Sequence, residues 1–157
     1  MSYLKAKHLS ELLVSKGLTI SVAESCTGGS LSSSLTSISG ASSYFNCGFI
    51  AYSNQSKIDM LGVNPESIEM FGAVSEKVAH EMVIGTGQRS HSNLAVSITG
   101  IAGPSGGTTS KPVGMVCIGF FSDGNVTTTT QFFSGSRSDI VSQSVTFALV
   151  ELSSKIS

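Results

Sequence analysis

Between an apolar run and a pair of glycines the chain carries Glu24, Ser25, Cys26 and Thr27, within the stretch SVAESCTGG over residues 21–29. A carboxylate, two hydroxyls and a thiol in a row admit three readings: a nucleophile, a substrate cradle, or a plain strand-to-helix turn. The stretch is not a G-x-x-x-x-G-K-S/T phosphate loop, and Glu24 stands where a G-x-S-x-G nucleophile elbow has its first glycine. What remains is a strand end delivering Ser25, Thr27, Gly28 and Gly29 to a helix N-terminus. There, free N–H groups and the helix dipole favour an anion or a carbonyl oxygen. An ordinary N-cap with a glycine turn has the same composition. Cys26 has no evident base: His8 and His80 fall in predicted helices and His91 precedes a predicted strand, so the thiol is read as a packed neighbour.

Other residues offer acyl-transfer chemistry. Lys57, in YSNQSK, falls in the first turn of a predicted helix, where the dipole and partial burial beside Tyr52 favour a neutral amine able to act as a base. A solvated helix lysine is the plain alternative. GASSY, residues 40–44, presents Ser42 and Ser43 on a turn between a helix and a strand. ITGIAGPSGG, residues 98–107, puts Thr99 and Gly100 at a strand end with glycine-exposed backbone, suited to an oxyanion or phosphate nest. Arg137 could fork a phosphate or merely open a helix.

The elements that must position these residues follow from periodicity. An amphipathic helix is predicted over residues 3–16, ending at Gly17, then a buried strand over 18–23. After Gly28-Gly29 the serine-rich stretch SLSSSLTSISG keeps Leu31, Leu35 and Ile38 at helical spacing and so reads as a helix rather than a linker. A strand spans 44–52 and a short capped helix follows. Pro65 opens another helical turn, and Ser75 caps a helix running to about Arg89, weakened by Gly85 and Gly87. Residues 93–99 form a strand, followed by a loop of about a dozen residues, a length that points to function. Residues 113–121 and 126–133 alternate as a hairpin around Ser122-Asp123-Gly124-Asn125, and residues 137–152 close the chain as a helix. Helices alternating with strands, plus one hairpin, predict an α/β fold: a mixed sheet covered on both faces, in one domain over residues 1–157.

Composition narrows the function. Hydrophobic residues make up 40% and charged residues 12% of the 157, which fits a packed core and not a disordered chain. With a net charge of −1 and nine scattered Lys plus Arg, nucleic acid is not an expected partner, whereas one small anion is within reach. The leucines near the N-terminus alternate with Lys and Glu, so neither a signal sequence nor a membrane span is expected, and the cytoplasm is the expected location. Three cysteines far apart lack the spacing of a zinc or redox site.

Taken in order, AESCTGG, GASSYF, YSNQSK, GAVSE, SITGIAGPSGG and KPVG resemble the CinA C-terminal domain family over about residues 5–150. Its stand-alone members are nicotinamide-nucleotide amidases. The resemblance implies a three-layer α/β/α sandwich that hydrolyses the carboxamide of nicotinamide mononucleotide to nicotinate mononucleotide and ammonia. It further implies Ser42 as nucleophile, with Ser43 the alternative, Lys57 as general base and Tyr52 as the hydroxyl that orients or relays the proton. Ser25, Thr27, Gly28, Gly29, Thr99, Gly100 and Arg137 would bind substrate, with neither cofactor nor metal required. A homo-oligomer such as a dimer is expected. Two other functions fit the same residues: an inactive paralogue that binds the nucleotide, and a serine amidohydrolase for another small amide.

Overall fold

The structure, a computed structural model, describes residues 2–157. Five strands form one sheet in the order β2-β1-β3-β4-β5. β1 (Ile20–Glu24), β2 (Phe45–Ile50) and β3 (Leu94–Gly100) run parallel, whereas β4 (Met115–Ser122) and β5 (Asn125–Phe132) add as an antiparallel hairpin. The mixed sheet expected from the sequence is therefore present. The hairpin turn is tighter than expected: Ser122 pairs with Asn125, leaving only Asp123 and Gly124 at the bend.

The faces of the sheet differ in side-chain size, and this sets how helices pack. Ile20, Val22, Leu94, Val96, Ile98, Val116, Ile118 and Phe120 project to one face. There they join the apolar residues of α1 (Ser2–Lys16), α2 (Ser30–Thr36) and α6 (Arg137–Ile156) in the larger core. On the other face the same strands carry Ser21, Ala23, Ala95, Ser97, Thr99 and Gly119. That face is covered by α5 (Glu76–Ser90), with α3 (Asn54–Leu61) and α4 (Pro65–Phe71) around it. Small residues let α5 approach closely: the Ser97 hydroxyl donates to the Ala79 carbonyl at 2.7 Å. A Cβ on Gly119 would lie 2.7 Å from the same carbonyl oxygen. β1 is buried along its whole length, as a strand covered on both faces must be.

Helix starts follow their caps. Ser53, Asn64 and Ser75 each accept a backbone N–H of α3, α4 and α5, and Ser136 forms a reciprocal capping box with Asp139 at α6. α6 runs on to Ile156, one turn past its expected end. α5 continues through Gly85 and Gly87 to Ser90, so the glycines that weaken it by propensity do not end it. Gly85 is needed for contact, because a Cβ there would overlap the Leu61 carbonyl of α3, and one on Gly87 would lie 2.7 Å from the Phe121 ring.

Chain order places the opening of the sheet. β1 leads to β2 on one side, and β2 leads back to β3 on the other, so the carboxyl ends of β1 and β3 flank a switch point where α/β sheets bind ligands. Ser25 follows β1 directly, and Thr99 and Gly100 end β3.

Helix propensity alone predicts that Gly85→Ala gains about 1 kcal/mol. The Leu61 contact reverses the sign, and we expect a loss of about 1–3 kcal/mol, read as a lower urea midpoint; a raised midpoint would contradict the close approach of α5 and α3.

Candidate active site

A cleft of about 270 Å³ opens at the carboxyl ends of the parallel strands, lined among others by Ser25, Tyr52, Lys57, Thr99, Gly100 and Arg137. Lys57, on α3, is 2% exposed. Its Nζ donates to Ser25 Oγ at 3.1 Å and to the Tyr52 carbonyl oxygen at 3.1 Å. Among the described residues no carboxylate lies within 4 Å of it. Burial without a counter-charge lowers the Lys57 pKa, an effect partly opposed by Cys26. Ser25 is itself buried and its hydroxyl has a second, longer contact of 3.4 Å to the Tyr52 carbonyl. A hydroxyl held against an amine whose affinity for its proton is lowered by burial is the arrangement of a serine nucleophile with a lysine base.

The expected pairing of Ser42 with Lys57 is not met. Ser42 is exposed on a 3₁₀ turn, Ala41–Ser43, that enters the amino end of β2, while Lys57 follows its carboxyl end. At ~3.3 Å per residue the six-residue strand separates those ends by roughly 17 Å. Ser43 lies on the same turn, its hydroxyl donating to the Gly40 carbonyl. Parallel pairing of β1 with β2 brings Ser25, not Ser42, to the lysine.

The helix start after Ser25 is also differently used from the cradle expected. Gly29 takes the N-cap position of α2 with φ 108° and supplies no side-chain cap. The side chain of Glu24, fully buried, reaches forward instead: its carboxylate accepts the N–H of Leu31 at 2.8 Å, the N–H of Ser32 at 2.9 Å and the Ser32 hydroxyl at 2.7 Å. The N–H groups of Ser30 and Ser33 are taken by the carbonyls of Thr27 and Gly29. An anion does sit at this N-terminus, but it is the protein's own. Gly28 and Gly29 shape the turn through positive φ and do not line the cleft, and Thr27 lines a neighbouring cavity.

The remaining predicted residues hold the rim. The Thr99 hydroxyl, 1% exposed, donates to the Ala73 carbonyl at 2.9 Å and so fixes the segment before α5. Gly100 is a close-approach position, where a Cβ would lie 2.8 Å from Val116 and 3.1 Å from Cys26 Sγ. Arg137 donates to the Gly103 carbonyl at 2.8 Å and to the Tyr52 hydroxyl at 2.7 Å, clasping the loop after β3 to the loop after β2. Tyr52 therefore meets the lysine through its carbonyl and the arginine through its hydroxyl. Cys26 is buried, and loss of solvation pushes its thiol up to about 11, against weaker lowering by a backbone hydrogen bond, Arg137 and Lys57. Sequence reasoning missed Asn54, Ala73 and Val74 in the lining; GAVSE within the family motifs marked the last two, and the cap position marked Asn54 only as a helix start. No group of acidic, His or Cys residues able to hold a metal occurs among the described residues, and no helix is long and apolar enough to cross a membrane.

Fold and site together define a three-layer α/β/α protein with a buried Ser-Lys pair at the switch point of its parallel strands. The chain belongs to the CinA C-terminal domain family, whose model matches residues 3–156. It is 46% identical over 138 residues to the nicotinamide-nucleotide amidohydrolase PncC of Enterobacter agglomerans, covering 87% of this chain and 84% of that protein. It is 56% identical over 113 residues to a CinA-like protein of Chloroherpeton thalassium, covering 72% of this chain and 27% of the relative. The chain thus spans about a third of the length of the first curated relatives it matches. The crystal structure of a competence or damage-inducible protein from Enterobacter asburiae superimposes with a TM-score of 0.96 at 35% identity, covering 100% of this chain and 99% of that one.

The thiol environments predict an order of reactivity. In the native protein a thiol-alkylating reagent should label the half-buried Cys47 first, leaving Cys26 and Cys117, whose thiols burial pushes up, for the unfolded chain. Peptide mapping by mass spectrometry reads that order; early labelling of Cys26 would revive a thiol nucleophile.

Proposed function

We propose that the chain hydrolyses the carboxamide of nicotinamide mononucleotide to nicotinate mononucleotide and ammonia, with Ser25 as nucleophile and Lys57 as general base. The observation that carries this reading is the 3.1 Å contact between Lys57 Nζ and Ser25 Oγ in a buried site without a counter-ion. The 46% identity to an amidohydrolase of this nucleotide supports the substrate.

The steps balance on these groups. Neutral Lys57 takes the Ser25 proton as Oγ attacks the amide carbon, and the carbonyl oxygen becomes a tetrahedral oxyanion. Ala102 lines the cleft, and its backbone N–H has no acceptor among the described residues, so it is available to that oxyanion. The Lys57 ammonium then protonates the departing nitrogen, the C–N bond breaks, and ammonia leaves an acyl-serine. Water, deprotonated by the same amine, hydrolyses the ester and restores Ser25. The Tyr52 carbonyl holds the amine in line through the cycle, and Arg137 holds Tyr52.

Two experiments test the assignment. Ser25→Ala and Lys57→Ala should each reduce ammonia release about 10³-fold or more, while Ser42→Ala stays within about threefold of wild type; the reverse order would return the nucleophile to the 3₁₀ turn. The base must be neutral, so kcat/KM should rise with pH through the Lys57 pKa. Burial sets that limb below the ~10.4 of a free lysine. A limb that persists unchanged in Lys57→Arg would assign the titration to another group.

A further inference from the structure

We propose that Lys111 is a positioning residue that ties two separate stretches of the cleft wall together and so sets the shape a substrate must fit; this rests on the amidase reading. One stretch is Ala73 and Val74, ahead of α5, and the other is the loop after β3 as far as Gly106. Neither belongs to a helix or a strand, and residues 104–110 of the loop are exposed throughout. Packing therefore does little to hold this wall, and individual contacts decide where it stands.

The loop is closed at its base, where the Gly114 N–H donates to the Ile101 carbonyl at 2.7 Å and the Ile101 N–H to the Met115 carbonyl at 2.9 Å. Arg137 holds the side nearer β3 at Gly103. Lys111 holds the other side: its Nζ donates to the carbonyl of Phe71, the last residue of α4 and 40 positions away in sequence. The final carbonyls of a helix have no partner within it and suit such a donor. Among the described residues no carboxylate lies within 4 Å of Lys111 Nζ, so the amine is aimed at this carbonyl and not at a counter-charge. The lysine is itself fixed by a turn: the Thr108 N–H donates to the Lys111 carbonyl at 2.8 Å, and the Lys111 N–H to the Thr108 hydroxyl at 3.0 Å. Next to Phe71 comes Gly72, at φ 80°, where a Cβ would lie 2.7 Å from Lys111 Nζ. The glycine leaves the space that the lysine occupies. GAVSE and KPVG, two motifs that supply no reacting group, thus meet in one contact. Thr99 ties the same stretch to β3 through the Ala73 carbonyl, and Lys111 adds the tie to the loop. Lys111 does not line the cleft, and Ser25 and Lys57 stand on the end of β1 and on α3, so losing the tie should deform the cleft without parting that pair.

The test compares Lys111→Met, which keeps the length and removes the donor, with Lys111→Arg, which restores a donor. Ammonia release is measured with nicotinamide mononucleotide, with nicotinamide riboside as second substrate or competitive inhibitor, alongside the melting temperature and hydrogen exchange read by mass spectrometry. Lys111→Met should raise KM for the mononucleotide, and KM or Ki for the riboside, about tenfold, with kcat within about threefold of wild type. Lys111→Arg should recover most of that loss. In Lys111→Met exchange should quicken in both 71–75 and 101–112 but not in β1, and the melting temperature should fall by no more than about 4 °C. A loss confined to the mononucleotide would overturn the proposal, since it would make Lys111 a direct contact for the phosphate. So would a fall in kcat at unchanged KM, exchange that quickens in neither stretch or in only one, or a general loss of protection that includes β1, the mark of plain structural support. Should the wild-type protein release no ammonia, the amidase reading fails, and the exchange pattern of Lys111→Met still decides whether the tie exists.

Discussion

The cleft end of this molecule depends on one carboxylate. Glu24 ends β1 and spends three hydrogen bonds on the start of α2, so the five residues between strand and helix are pinned at both ends. Ser25 is the first of them. Its backbone N–H is also held by Ile98 of β3, which sets the serine against two neighbouring strands at once. A carboxylate accepting several N–H bonds in a buried setting is strongly held, and the loop needs no capping side chain of its own. The glycines that follow turn the chain, and the acid fixes where it turns.

The second constraint is the small-residue face of the sheet. Because Ser97 and Gly119 let α5 settle onto the strands, and Gly85 lets α3 settle onto α5, the helix bearing Lys57 is drawn in over the strand ends. Its side chain then has only the cleft to enter, where it meets one hydroxyl and one carbonyl. Larger side chains at these positions would lift α3 outward and leave the amine in solvent, with an ordinary affinity for its proton.

Much of this was legible in the sequence. Alternation and helical spacing placed the elements of a covered mixed sheet, Ser75 and Gly17 marked helix ends, and six short motifs marked both the family and nearly every residue around the cleft. Which serine meets Lys57 was not legible. Ser42 lies 15 positions before Lys57 and Ser25 lies 32 before it, yet direction along a parallel strand puts the nearer serine at the wrong end of the sheet. That depends on strand order, which no local pattern encodes. Glu24 was similarly opaque: a carboxylate beside a serine and a thiol reads as chemistry, and only the path of α2 shows that its oxygens are already occupied. Gly85 and Gly87 look like helix breakers until the carbonyl and the ring packed against them are seen.

The unpaired burial of Lys57 also shapes the response of the fold to acidity. In the folded chain this amine holds its proton less tightly than in the unfolded chain, so between its two pKa values the unfolded state binds more protons, and stability from this group rises with pH across that window. Below the window the folded protein carries a buried cation at a constant cost; above it the cost disappears. Uptake of this one proton thus pulls toward unfolding, and the burial that loosens the amine's hold on it also ties the stability of the fold to its titration.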